Sequence, residues 1–285
     1  DSIWYGDPID RNNPDAFKNL PVIRKLLFEG RIQEAERLAA MALSGVPESQ
    51  RPYQTMGDLF INFETGPGAA ENYTRELDLE NAVVTVGFTS NGVKYARQYF
   101  SSAADQVMVI RITSDKPKAI SFTANLRRGR YLDAVKASAG NTITMFASCG
   151  LEKGIRFCTM VRAIHEGGAA LTIGENLVVD GADAVTLLLS AATSFYHEDY
   201  QAQCAEYLDN ASAKGYDALL ADHAADYARY YDRASLEIES GSDKNDKTGL
   251  DTAERLERLK NGEEDMGLAS LYFHFGRYLL ISCSR

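Results

Sequence analysis

Between Tyr53 and Ala191 the chain alternates apolar and polar residues over short runs, with no helical stretch between them. Leu59, Ile61 and Phe63 recur at every second position. Val84, Val86 and Phe88 do the same up to Ser90-Asn91-Gly92, and Val93, Tyr95 and Arg97 lead away from it. Side chains with a period of two line one face of a strand. Asn-Gly between two such runs is a strong hairpin signal, because the tight turn that suits twisted strands needs positive φ at both central residues. Further strand-like runs cover Val107–Thr113, Ile120–Leu126, Thr142–Ala147, Ile155–Ile164, Ala170–Ile173, Leu177–Val179 and Val185–Ala191. Parallel neighbours would need a crossover of a dozen or more residues, usually a helix, and none is available here. About ten strands joined this way predict a mainly β fold with flanking helices, built on a large antiparallel β-sandwich (a super-sandwich).

Helical patterns flank this region. Residues 1–20 are loop-like, with Gly6, Pro8, Asn12, Asn13 and Pro14 closely spaced. Pro21 is expected to start a helix carrying Ile23, Leu26 and Leu27 that ends at Gly30; Ile32, Ala35, Leu38, Ala39 and Ala42 mark a second, closed by Gly45. The two predict a helical hairpin over 21–44 packed on something else. After Tyr196 the spacing predicts helices over Tyr200–Ala213 and Tyr216–Tyr230, a short strand at Leu236–Glu239, a polar linker at Gly241–Gly249 and a charged helix at Thr252–Lys260. Glu263-Glu264-Asp265 is expected to be a solvated turn. From Leu268 to the end, Leu268, Leu271, Tyr272, Phe275 and Leu279 share one helical face, and Tyr278, Leu280, Ile281 and Cys283 extend the apolar surface around most of the circumference. A helix of that kind belongs inside a larger body. The expected organisation is a sandwich domain with its hairpin at 1–196, a helical linker region at 197–265, and at 266–285 the first helix of a truncated further domain.

Composition and motifs narrow the function classes. Forty acidic against thirty basic residues give a net charge of −10, so the mean field repels nucleic acid. No run of about 18 uncharged apolar residues exists, and no membrane partner is expected. The basic knot Arg127-Arg128-Gly129-Arg130 is expected to be a solvated loop or an internal ion-pair donor. Cys149, Cys158, Cys204 and Cys283 are scattered, as buried free thiols would be, without zinc or disulfide spacing; they leave the compartment open. His165, His197, His223 and His274 share no ligand spacing, and no hydrolase elbow, phosphate loop or zincin motif occurs. Carboxylates are abundant, as glycoside hydrolysis requires, but abundance singles out no pair. Trp4, the single tryptophan, is followed by Tyr5 in a loop that includes Asp7. Aromatic rings beside short polar side chains suit sugar stacking, since a pyranose has an apolar face and a polar rim; anchoring an interdomain seam is the other reading, and both stand.

These residues carry a resemblance. Asp1-Ser-Ile-Trp-Tyr-Gly-Asp-Pro8 followed by Asn12-Asn13-Pro14, then Tyr53-Gln-Thr-Met-Gly-Asp-Leu59, Tyr73-Thr-Arg-Glu-Leu-Asp-Leu79, Val93-Lys-Tyr-Ala-Arg97 and Phe100-Ser-Ser102, and finally Thr252–Leu256 and Leu271–Leu280, resemble successive landmarks of glycoside hydrolase family 95, the α-L-fucosidases. The resemblance implies an amino-terminal β-sandwich, a helical linker, a catalytic (α/α)6 barrel and a small carboxy-terminal β domain. It implies hydrolysis of terminal α-1,2-linked L-fucose with inversion, some relatives preferring L-galactose, and no metal or organic cofactor. In that family a glutamic acid acts as general acid, and an asparagine-assisted water with a partner aspartate attacks the sugar. Those residues lie in the barrel beyond the helix matching Phe275-Gly-Arg-Tyr-Leu-Leu280, so no position here is expected to be catalytic. The implied partner is a fucosylated oligosaccharide or glycan, bound through the missing barrel. The alternative is a stand-alone, non-catalytic carbohydrate-binding β-sandwich.

Overall fold

The computed structural model describes residues 2–4, 9–64, 68–150, 154–238 and 249–284. In chain order its elements are β1 (Ser2–Trp4), α1 (Ala16–Phe28), α2 (Ile32–Ala42), β2 (Tyr53–Thr55), β3 (Asp58–Phe63), β4 (Glu71–Asp78), β5 (Val83–Ser90), β6 (Val93–Ser102), β7 (Val107–Ser114), β8 (Ile120–Arg127), β9 (Leu132–Ser138), β10 (Thr142–Ser148), β11 (Arg156–Glu166), β12 (Ala169–Ile173), β13 (Asn176–Ala182), β14 (Ala184–Thr193), α3 (Tyr200–Lys214), α4 (Tyr216–Tyr231), α5 (Thr252–Lys260) and α6 (Met266–Cys283). Every strand pairing is antiparallel. An eight-stranded sheet runs β4-β5-β6-β7-β14-β11-β10-β9, a four-stranded sheet runs β12-β13-β8-β3, and β1 pairs with β2. The Asn91-Gly92 hairpin forms as the sequence predicts, with φ of 51° and 70° at its two turn residues.

The sheets close face to face over one core. Ile110, Ile112, Ile143, Met145, Phe157, Val161, Val185 and Leu187 come from the large sheet, and Ile120, Phe122, Ala124, Leu126, Leu177 and Val179 from the small one. Each large side chain removed from water here is worth about 1.5–3 kcal/mol. The other face of the large sheet is covered too. Val83, Phe100, Val107, Val109 and Leu188 pack against Leu208 and Ala211 of α3 and Leu219 of α4. Strands β7 and β14 are therefore buried on both faces, which is why Ala184–Leu189 reads as a nearly unbroken apolar run. The molecule is thus layered as small sheet, large sheet and helices.

Several local expectations change. Helix α1 begins at Ala16, not at Pro21, which sits inside it. The Asn13 side chain accepts from Asp15 N at 2.9 Å and its carbonyl from Ala16 N at 3.1 Å, which organises the turn earlier. Pro21, which has no N–H, leaves the Phe17 carbonyl without its helical donor on the exposed side of α1. The hairpin buries Ile23, Ala35 and Ala42 against Leu26, Leu38 and Ala39, all within itself. Strands β4 and β9, with no apolar alternation to announce them, are the two edges of the large sheet. Residues 236–238 form no strand; Ile238 N donates to Ser270 Oγ and Leu236 N to His274 Nε2, both on α6. The Gly241–Thr248 part of the expected linker lies outside the described residues.

Candidate functional site

Of the three residues singled out by sequence, only Trp4 can be placed; Tyr5 and Asp7 lie outside the described residues. Ile3 and Trp4 sit on a short strand whose register sets Trp4 opposite Tyr53. Ile3 points into the sandwich core, so Trp4 points away from it. Trp4 is half-buried, and its indole N–H donates to the Arg51 carbonyl at 2.8 Å. The polar handle of the ring is thereby occupied by backbone, while Tyr53 beside it is 69% exposed.

The same end of the sandwich is held by the basic knot. Arg128 Nε donates to Thr55 O (3.2 Å) and Nη2 to Gln54 Oε1 (2.8 Å), while Nη1 reaches Ser148 O (2.9 Å), Arg130 O (2.7 Å) and Tyr131 O (3.2 Å). Its guanidinium carbon lies 5.0 Å from the Phe157 ring centre. Burial pushes the Arg128 pKa down, partly countered by neighbouring Cys149 and Asp133. Arg128 is an internal donor as expected, but the groups it donates to are carbonyl oxygens. It ties β2 to the β8–β9 loop and to β10, and so fixes where Trp4 and Tyr53 are presented.

At the other side of the large sheet, α4 and α6 meet in an aromatic seam. His223, Tyr227 and Tyr231 succeed one another at helical spacing, with ring centres 6.4 and 5.3 Å apart. His223 also stacks on Phe100 at 4.8 Å, and its Nε2 lies 2.9 Å from Asn81 O. Burial pushes the His223 pKa down, opposed by the carbonyls of Ala82 and Asn81. Tyr278 and Ile281 of α6 pack on Tyr227 and Tyr231. Arg277 Nη2 donates to Tyr230 O (3.2 Å) and Tyr231 O (2.6 Å), carbonyls in the last turn of α4.

The expected solvated turn Glu263-Glu264-Asp265 is only half so. Asp265 is buried; its carboxylate accepts from Arg255 Nε (2.9 Å) and Nη2 (2.8 Å) and caps α6 through Leu268 N (2.8 Å). The spacing Asp265-x-x-Leu268 before an apolar run is the sequence signal for that cap. Helix α6 otherwise leaves most of its apolar surface open, with Tyr272 78%, Leu280 68% and Leu279 48% exposed. Cys149, Cys158 and Cys204 are buried as expected, but Cys283 on this helix is exposed. Among the described residues no group of His, Cys, Asp and Glu is placed to hold a metal ion, and no helix is long and apolar enough to cross a membrane.

Comparison with known proteins places these features. A family model described as the glycosyl hydrolase family 65 N-terminal domain matches residues 1–198, and one described as the glycosyl hydrolase family 95 catalytic domain matches residues 215–285. The chain is 31% identical along its whole length to Alpha-L-fucosidase 2 of Arabidopsis thaliana and 26% identical to "Probable alpha-fucosidase A" of Aspergillus niger. It spans 37% and 38% of those two proteins. A solved structure titled "Putative kojibiose phosphorylase from human microbiome" matches 61% of this chain and 27% of its own, with TM-score 0.46 and 14% identity. The chain therefore belongs to the glycosyl hydrolases, with an amino-terminal domain of the family 65 type over residues 1–198 and a segment of the family 95 catalytic domain over residues 215–285.

Proposed function

We propose that this chain is the amino-terminal part of an inverting α-L-fucosidase that removes terminal α-1,2-linked L-fucose from glycans. The observation that carries the proposal is the 31% identity along the whole chain to an α-L-fucosidase, combined with the family 95 catalytic match over 215–285. In this proposal residues 1–196 form the sandwich domain, 197–265 the helical linker, and 266–285 the first helix of the catalytic (α/α)6 barrel. The hydrolytic acid and the water-positioning groups belong to later barrel helices. The work of this region is positional. Two helices, α3 and α4, cover the large sheet, and α6 is bound to α4 through the aromatic seam and held at its start by the Asp265–Arg255 pair. The open apolar side of α6, with Tyr272, Leu279 and Leu280, is the surface on which the next barrel helices pack. Trp4, with Tyr5 and Asp7, borders the sugar site or the seam between sandwich and barrel.

The test is an assay on an α-1,2-fucosyl oligosaccharide. The 285-residue chain alone is expected to release no fucose, and a chain joined to a complete family 95 catalytic domain is expected to release it with inversion at the anomeric carbon. Turnover by the short chain, or retention of configuration by the long one, overturns the proposal.

A further inference from the structure

The two sheets differ in width, eight strands against four, so the small sheet cannot cover the whole inner face of the large one. The small sheet ends at β3, where Phe63 meets Arg97 of β6. Beyond that point the inner faces of β5 and β4 are open: Val84 and Val86 are only half-buried, and β4 is exposed over its first six residues. Register defines what lines this overhang. Arg75 lies opposite Val86, and Val86 opposite Arg97. Directly opposed residues share a face, so two arginines stand in one row across three strands, roughly 10 Å apart at the backbone.

Neither arginine meets a counter-charge among the described residues. The side chains of Arg75 and Arg97 form no hydrogen bond or ion pair there, and Arg97 Nε is buried without an acceptor. The Arg97 guanidinium lies 3.7 Å from the centre of the Phe63 ring and 4.9 Å from that of Phe88. The rings hold the cation flat and exclude water from one side of it, which strengthens its attraction for an anion. In a chain of net charge −10, two arginines in one row on an open face are a local concentration of positive charge.

We propose that the open inner face of β4, β5 and β6 binds an acidic saccharide, with uronate carboxylates taken by Arg97 and Arg75 and the sugar ring lying against Phe88 and Val86. Guanidinium groups pair with carboxylates through two parallel N–H···O bonds, and the aliphatic surface of Val86 between them, with Phe88 beside it, suits the C–H face of a pyranose. The spacing of the two cations suits an extended oligosaccharide more than a single small ion. This site is independent of the fucosidase proposal, since it concerns binding to the sandwich and not hydrolysis.

The test is titration of the full chain with tri-galacturonate by isothermal calorimetry, against maltotriose as the neutral sugar and sodium sulfate as the simple anion. Tri-galacturonate is expected to bind, more weakly as salt rises, and maltotriose to give no measurable heat. Arg75→Gln and Arg97→Gln are each expected to lower the affinity about tenfold or more, the loss of a charge-assisted hydrogen bond. Arg75 is exposed, so R75Q keeps the proposal testable even where R97Q perturbs packing; circular dichroism of each variant checks the fold. No binding to the uronate, equal binding of maltotriose, equal displacement by sulfate, or an undiminished affinity in R75Q each overturns it.

Discussion

At the scale of residues, the most consequential polar pair is a buried one. The Arg255 and Asp265 side chains are 10% and 4% exposed and joined by two hydrogen bonds. Removing the Arg255 guanidinium takes two donors and a counter-charge from a buried carboxylate, so Arg255→Ala is expected to destabilise the α5–α6 unit by about 3 kcal/mol or more; thermal unfolding followed by circular dichroism measures it. His223 makes a pH prediction. Its folded pKa lies below the ordinary 6.5 because of burial, so the fold favours the neutral ring. That stability is present above the unfolded pKa and is lost as pH falls through the lower, folded one. The melting temperature is therefore expected to fall as pH drops below about 6.5, and His223→Gln to flatten this dependence; an unchanged slope in the variant would assign the acid sensitivity elsewhere.

At the scale of elements, the β5–β6 hairpin turns on Asn91-Gly92, and Gly92 has φ +70° with ample space for a Cβ. Gly92→Ala is therefore expected to cost only the left-handed backbone penalty, about 1–2 kcal/mol, read by urea unfolding. Helix α3 is different, because Leu208 is wholly buried between it and the large sheet. Leu208→Ala opens a cavity there and is expected to cost about 2–5 kcal/mol in the same measurement. The elements are unequally legible in the sequence. The central strands and α3, α4 and α5 follow from their periods, with ends that shift by a few residues. Strands β4 and β9 do not: each is exposed along most of its length on both faces, so no buried face imposes alternation on its sequence. Pro21 carries the ordinary signal of a first helical turn, yet it lies within α1, at a position where the open solvent side tolerates its missing N–H.

At the scale of the whole molecule, the exposed apolar side of α6 and the outward face of α1, with Phe17 and Phe28 90% and 85% exposed, exceed what a solitary soluble body usually shows. The isolated chain is expected to self-associate in sedimentation velocity, and the double substitution Tyr272→Lys, Leu280→Lys to shift it toward monomer. A monomeric wild-type chain at tens of micromolar would contradict this. The candidate sites divide along the same line. Trp4 is legible because a single tryptophan in a polar loop stands out in any sequence. Arg97 reads only as one residue of a strand, and Arg75 as one of a polar stretch; nothing local says that neither meets an acid in the fold. By itself the sequence determined the strand and helix periods, the Asn-Gly turn, the antiparallel class and the family, since each depends on residues close together or on an ordered set of motifs. The tertiary structure alone decided that β7 pairs with β14 and β8 with β13 and β3, and hence that eight strands face four. Those pairings join residues far apart in sequence, and the energy that selects them, the matching of buried faces, exists only once the layers are assembled.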